Sequence, residues 1–214
     1  MVYTNKIKKL LNSRQLKELK DIKTVIKQKM PESLYRHSIK TMDFAVMLAL
    51  KHYPDADINE DLVNKACISA LLHDYGKILE RQDLQDIVSR NVKGLTDFEK
   101  TCYPCLHAYA APYLIKRDFG INDKEIYNAI SRHTTGSCDM SGLDRILYIS
   151  DKLEAGRNYK NIEYLRQLSI NNPDLCLLEV YKSNIIYVIS KNCTLHPDTS
   201  RIWNYICGGY KNVT

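Results

Sequence analysis

The sequence is poor in chain-breaking residues. Its 214 residues include only 8 Gly and 6 Pro, too few for the turn-dense sandwiches and barrels of all-β proteins. Long apolar runs are missing as well. The longest, Phe44–Leu50 and Ala66–Leu72, span about seven residues, against the ~20 needed to cross a bilayer. The opening stretch MVYTNKIKKLLNSRQ has neither a continuous apolar core nor a small-residue cleavage site. No secretory signal is read there, and a cytoplasmic protein with no membrane partner is expected.

Cysteine is present but unpaired by pattern. Seven residues, an odd number, are scattered at Cys67, Cys102, Cys105, Cys138, Cys176, Cys193 and Cys207. A chain of this length buries about 70% of its unfolded surface and needs no disulfide staples. Cys102 and Cys105 form a CxxC, but a zinc ribbon needs a second such pair and a thioredoxin-like site needs a βαβ setting. Free thiols are the simplest reading. A uniform excess of one charge is also missing. The net charge of +6 suggests nucleic acid until it is located: residues 1–29 carry +7 and the remainder −1. The body is neutral, so nucleic acid is not expected as a partner.

What is there is helical periodicity and 44% hydrophobic residues, normal for a globular chain. Leu16, Leu19, Ile22, Val25 and Ile26 repeat at helical spacing over 14–29, with Ser13 as N-cap. A second helix runs from Glu32 to Tyr53 behind Pro31, burying Ile39, Met42, Ala45, Val46 and Ala49. A third spans Asn59, its cap, to Leu72 and stops before Gly76. The polar stretch from Glu80 to Thr101 has room for one short helix at Leu84–Val88. Further helices are expected at Leu106–Phe119, ended by Gly120; Asp123–Thr134, capped by Asn122; Met140–Leu153; Ile162–Asn171; Asp174–Lys191; and Thr199–Cys207. No stretch alternates convincingly as a strand. The reading is all-α, one compact bundle over 14–207, with a basic extension at 1–13 and a tail at 208–214.

Chemistry concentrates in the histidines. His37, His107 and His133 fall near helix ends or faces, as does His52. His73 is followed directly by Asp74 at the close of a buried helix. Neighbours on a continuous helix point about 100° apart, so both serve one centre only if metals sit between helices, with Asp74 able to bridge two ions. Imidazole with carboxylate suits Fe, Mn, Zn or Mg. Asp151 ends the apolar run Ile146–Ser150, where a buried carboxylate needs a partner. Metal is one such partner and a nearby Arg such as Arg157 another.

The order His37, His73-Asp74, Asp151 resembles the HD-domain metal-dependent phosphohydrolases, helical bundles with a His…His-Asp…Asp pattern. The segments His73-Asp-Tyr-Gly-Lys77, Leu106-His107-Ala108, Arg132-His-Thr-Thr-Gly136, Met140-Ser141 and Ile146–Asp151 through Glu154 and Arg157 look like one branch of it, the YqeK-type symmetrical bis(5'-nucleosyl)-tetraphosphatases. The likeness covers roughly 14–206, including His196-Pro-Asp-Thr199. It departs at Leu34, where relatives usually carry Arg, and at Ser150-Asp-Lys-Leu-Glu-Ala155, where they carry Ala-Asp-Tyr-Ile-Glu-Pro.

The resemblance implies metal ligands at His37, His73, Asp74 and Asp151, with His107 and His133 completing a second site or facing phosphates. It implies one or two iron ions, which Mn or Mg can replace. Asp74, Lys77, His107, His133 and Arg157 would be catalytic. The substrate would touch most of these residues together with Tyr75, Gly76 and Thr134. The segment Thr194, Leu195, His196, Pro197, Asp198 and Thr199 would border the nucleotide. The implied reaction is hydrolysis of diadenosine tetraphosphate to two ADP by metal-bound hydroxide. Another nucleotide as substrate (a mononucleotide, a cyclic dinucleotide or an alarmone) is the first rival, and a binding module with an inactive site the second. Oligomeric state is not legible, a homodimer being one form open to the chain.

Overall fold

Apolar side chains recurring at three- and four-residue spacing wind the chain into twelve α-helices and one 3-10 turn, with no strand among the described residues. A computed structural model describes residues 4–53 and 56–211. Residues 1–3, 54–55 and 212–214, and with them the outer ends of the expected extension and tail, lie outside the described residues. The helices are α1 (Thr4–Leu10), α2 (Ser13–Lys29), α3 (Glu32–His52), α4 (Ala56–Leu72), α5 (Arg81–Asn91), α6 (Asp97–Thr101), α7 (Tyr103–Phe119), α8 (Lys124–Arg132), α9 (Gly142–Leu153), α10 (Ile162–Asn171), α11 (Pro173–Ser190) and α12 (Thr199–Lys211). The 3-10 turn is Tyr75–Ile78.

Helix ends differ from expectation for local reasons. Asn12, not Ser13, caps α2: its side chain accepts from the amides of Arg14 and Gln15, and Gln15 returns a bond to the Asn12 amide. That reciprocal box uses a longer acceptor than serine offers and moves the boundary back by one residue. Asp123, not Asn122, caps α8, accepting from Glu125 and Ile126. α4 begins at Ala56, so Asn59 lies inside it rather than at its cap. α5 is longer than the expected Leu84–Val88, and α6, held by a Thr96–Glu99 capping box, was not anticipated. α12 continues past Cys207. Gly120, at φ 68°, ends α7 as its position suggests.

Packing places α3, α4, α7, α8 and α9 around one centre. α3 lies along α4 and α9, α4 also meets α8 and α9, and α7 bridges α8, α5 and the 3-10 turn. Ala45, Val46, Ala49, Leu71, Leu72, Leu106, Ile130 and Leu147 are buried at these seams. α2 adds Leu19, Ile22 and Ile26, and Ile7 and Leu11 are buried beside them. Ile39 is only partly buried. No helix among the described residues is long and apolar enough to cross a membrane.

One buried ion pair fastens α8 to α9. Arg132 Nη1 donates to Asp144 Oδ2 at 2.7 Å, and the Ser141 amide donates to the same oxygen at 3.0 Å. Asp144 thus closes the α9 capping box and holds the residue just before His133. The Asp144 side chain is wholly buried, so Asp144→Ala removes half of a capping box and leaves the Arg132 guanidinium with Asp139 alone. A loss of about 2 kcal/mol in urea unfolding is expected. A loss under about 1 kcal/mol would mean that the pair does not fasten the seam.

Candidate metal centre

The end of α4 solves the problem of adjacent ligands. The helix stops at Leu72, and Asp74 (φ −99°, ψ 10°) leads into the 3-10 turn. His73 and Asp74 therefore do not diverge as they would on a continuing helix. Gly76 lets this turn lie directly against α7: a Cβ there would stand 2.5 Å from the His107 carbonyl oxygen and 2.9 Å from its Cα. Sequence puts His37 in the second turn of α3, His107 in α7, His133 at the end of α8 and Asp151 near the end of α9. The bundle brings all six residues together.

They form two abutting sets that share Asp74. On one side, His37 Nε2 lies 3.1 Å from His73 Nε2, 2.9 Å from Asp151 Oδ1 and 3.8 Å from Asp74 Oδ2. His73 Nε2 stands 3.5 Å from the same Asp74 oxygen and 3.6 Å from Asp151 Oδ1. On the other side, Asp74 Oδ1 faces His107 Nε2 at 3.2 Å and His133 Nε2 at 3.5 Å, the two nitrogens being 3.2 Å apart. Each carboxylate oxygen of Asp74 thus addresses its own pair of imidazoles.

Ring orientation is fixed from behind. His73 Nδ1 donates to the Ala70 carbonyl at 2.8 Å and His133 Nδ1 to the Ile130 carbonyl at 2.6 Å. A carbonyl only accepts, so each neutral ring carries its lone pair on Nε2, aimed at the centre. His37 Nδ1 faces Glu154 Oε1 at 3.2 Å. Burial holds the His133 pKa down to about 4 and lowers that of His107. Burial also works against charge on His37, but Asp151 and Glu154 outweigh it and hold its pKa up at about 9. Burial raises Asp74 too, yet the His73, His107 and His133 rings keep it well below the carboxylate range.

Lone pairs converging at 3 Å in a buried place repel unless a cation lies among them. Asp74 Oδ1 is buried and accepts no hydrogen bond, an orphan of the kind that marks a missing partner. Three combinations of ligand atoms come close enough to hold an ion: His37, His73 and Asp74; His73, His133 and Asp151; and Asp74, His107 and His133. Imidazole with carboxylate fits a divalent first-row metal. The hydrogen bonds from Nδ1 to the Ala70 and Ile130 carbonyls are of the kind that orient metal-binding imidazoles.

The centre lies at the floor of a cleft of about 740 Å³. His107, His133, Thr134, Asp151, Lys77 and Arg157 line it. Lys77 Nζ lies 2.7 Å from Asp74 Oδ2, and Arg157 Nη2 2.8 Å from Asp151 Oδ1. Both cations are more than 40% exposed and reach in from the mouth. Tyr103, Tyr159 and Tyr187 are exposed and edge the cleft.

Other expected site residues lie elsewhere. Tyr75 is buried, its hydroxyl donating to Asp118 at 2.8 Å behind the centre. Leu195, His196, Pro197 and Thr199 line a separate apolar hollow of about 440 Å³, and no residue of the 194–199 segment lines the main cleft. Thr194 is exposed, and Asp198 pairs with Arg201 at 3.0 Å. Lys152 is a residue that pattern reading missed. Its Nζ lies 2.9 Å from Asp151 Oδ2, bonds the His133 carbonyl, and sits 4.2 Å from the Tyr148 ring centre. Its signal was a lysine directly after Asp151, between the run Ile146–Ser150 and Leu153.

Known proteins share this arrangement of sequence and fold. The HD domain pattern matches residues 34–156. A symmetrical bis(5'-nucleosyl)-tetraphosphatase of Bacillus subtilis is 28% identical over 86% of this chain and 95% of its own length. Its counterpart in Staphylococcus aureus is also 28% identical, over 86% of this chain and 91% of its own. A crystal structure from Clostridium acetobutylicum, described as a predicted HD superfamily hydrolase involved in NAD metabolism, superposes with a TM-score of 0.79 at 33% identity. It covers 88% of this chain and 96% of that one. The matched pattern spans more than half of the sequence and takes in every histidine and aspartate gathered at the centre, so the chain belongs to the HD domain family.

Proposed function

We propose that this protein is a metal-dependent hydrolase that cleaves dinucleoside tetraphosphates symmetrically, converting diadenosine tetraphosphate to two ADP. One observation carries the reading: the two oxygens of buried Asp74 each face a separate set of imidazole nitrogens, at the floor of a cleft whose mouth is cationic. A phosphoanhydride resists hydrolysis because its anionic oxygens repel a nucleophile. Charge must be neutralised at the phosphates while water is brought in line with the bond that breaks. The relatives named for symmetrical tetraphosphate cleavage support the choice of substrate.

His37, His73, Asp74 and Asp151 would hold one ion, and Asp74, His107 and His133 a second. Ions bound there supply Lewis acidity toward phosphate oxygens and acidify water. The mixed nitrogen and oxygen donors suit several divalent first-row metals; the family resemblance points to iron as the native one, with manganese or magnesium able to substitute. The rest of the work falls to side chains. Lys77 and Arg157 pair with ligand carboxylates at the floor, and their exposed stems let them turn to the polyphosphate. Arg157 offers a planar fork and Lys77 a mobile point charge. Thr134 places its hydroxyl 3.3 Å from His133 Nε2, within reach of a phosphate at the second set. Tyr103, Tyr159 and Tyr187 give purine rings flat surfaces at the cleft's edges.

The test is anaerobic hydrolysis of diadenosine tetraphosphate with ferrous iron or manganese, products resolved by chromatography. ADP as sole product is expected. ATP with AMP would place attack at an outer phosphorus and overturn the symmetrical reading. No product from protein with stoichiometric metal would overturn the substrate. Arg157→Ala is expected to lower kcat/KM by about 10²-fold, the scale of one transition-state charge contact, while metal content measured by mass spectrometry stays at the wild-type ratio. Loss of metal in that variant would make Arg157 part of the ligand scaffold instead.

A further inference from the structure

We infer that Cys102 and Cys105 form a reversible dithiol–disulfide couple at the mouth of the cleft, oxidised by low-molecular-weight disulfides. Their Sγ atoms lie 2.9 Å apart in thiol–thiol contact, where about 2.0 Å makes a bond. The pair occupies a junction. Cys102 is at once the last cap of α6 and the first of α7, and Cys105 sits in the first turn of α7, its amide bonded to the Cys102 carbonyl at 2.8 Å. Three-residue spacing on one helical turn puts both side chains on one face.

A metal clip needs further ligands, and no His, Cys or carboxylate atom among the described residues closes on this pair to make a set of three. Cys105 is 5% exposed, whereas Cys102 is half-buried at the edge of the core, so the two thiols differ in their access to a small disulfide. The other five thiols, buried Cys67 and Cys176 together with Cys138, Cys193 and Cys207, are all free.

The chemistry follows from that difference in access. Cys102 gives its proton to solvent and attacks one sulfur of a disulfide R–S–S–R. An S–S bond to Cys102 forms, the R–S–S–R bond breaks, and one R–S⁻ leaves and takes up a proton. Cys105, whose thiol is held well above the ordinary range by burial and by Cys102, passes its proton to the departing R–S⁻ as its sulfur attacks the Cys102 sulfur. The intramolecular bond forms and the second R–S⁻ leaves as R–SH. Two electrons have passed from the protein to the small disulfide.

The couple lies where it can be felt. Tyr103 and Pro104, the two residues between the cysteines, line the cleft, and His107 follows two residues after Cys105. Drawing the sulfurs into a bond tightens the α6–α7 junction and moves Tyr103, which lies between them at the cleft's edge, while His107, further along α7, is held by its contacts with Asp74 and His133. Oxidation therefore alters substrate grip more than chemistry. This kinetic consequence rests on the hydrolase reading above. The thiol chemistry does not.

The experiment equilibrates metal-loaded protein in mixtures of oxidised and reduced glutathione, alkylates free thiols, and maps them by mass spectrometry. Loss of two alkylation sites together, at 102 and 105, reversed by reduced glutathione, is expected. A doubly substituted Cys102→Ser, Cys105→Ser protein should lose no site pair while keeping wild-type helicity and metal. Full alkylation of both cysteines in the most oxidising mixture, or a glutathione adduct on Cys102 that never gives way to the internal bond, overturns the couple. KM for diadenosine tetraphosphate should differ at least about threefold between the two forms, a modest reorientation cost, with kcat close to unchanged. Equal KM values overturn the link to the cleft. If neither form turns over the dinucleotide, the hydrolase reading fails and the thiol map still decides the couple.

Discussion

Asp74→Ala is expected to release bound metal from both sets of ligands and to lower hydrolysis by at least about 10³-fold, the scale reached when a central catalytic group is removed. No other residue at the centre presents one atom to each set. His37 and Asp151 can lose one ion and leave the other, whereas Asp74 lies 3.2 Å from His107 on one side and 3.5 Å from His73 on the other. The fold should survive, because Asp74 lies outside α4, in the turn before the 3-10 segment. Helicity by circular dichroism and metal content by elemental mass spectrometry separate the two effects. A well-folded variant that keeps two ions, or full turnover, would remove Asp74 from the role of bridge. Asp74→Asn refines the result, since it keeps the shape but gives up the charge.

Gly76→Ala is expected to act through the backbone and yet reach the same centre. The added methyl would meet the His107 carbonyl oxygen at 2.5 Å and the His107 Cα at 2.9 Å. Neither is the far end of a flexible side chain, so the 3-10 turn and α7 must part. Overpacking of this kind costs about 1–3 kcal/mol. The same movement carries His107 away from Asp74 Oδ1, and a displacement near 1 Å can cost about 10²-fold in rate. The expected signature is a lower urea midpoint together with loss of the ion held by His107 and His133, the other being retained. Unchanged stability with full metal would mean that the turn gives way cheaply.

Helix periodicity was the most legible part of the chain, because apolar side chains at three- and four-residue spacing survive any detail of packing. Boundaries were less legible wherever two good caps stood side by side. Asn12 next to Ser13, and Asp123 next to Asn122, compete on equal local terms, and tertiary placement chooses between them. Of the expected site residues, the six that form the centre share one physical trait: each interrupts or ends a buried face, where an unpaired polar group is costly. Tyr75 shares that trait for another reason, its hydroxyl being satisfied by Lys29 and Asp118. The 194–199 segment carried no such trait and stands apart from the cleft. Lys152 and Glu154 went without roles because each sits close to a stronger candidate, on a face that only the turn of α9 reveals.

The centre also has a meaning for how the chain folds. His37 and Asp151 touch across 114 positions of sequence, and the residues between them supply every other member of the cluster. Their meeting closes one large loop, an event whose entropic cost must be met before an ion on the His37 side gains its full set of ligands. Neither half of the chain supplies the full set of ligands by itself. Full occupancy thus reports the finished topology rather than any one helix, and an ion held there ties together, like a clasp, two stretches of polypeptide that no disulfide links.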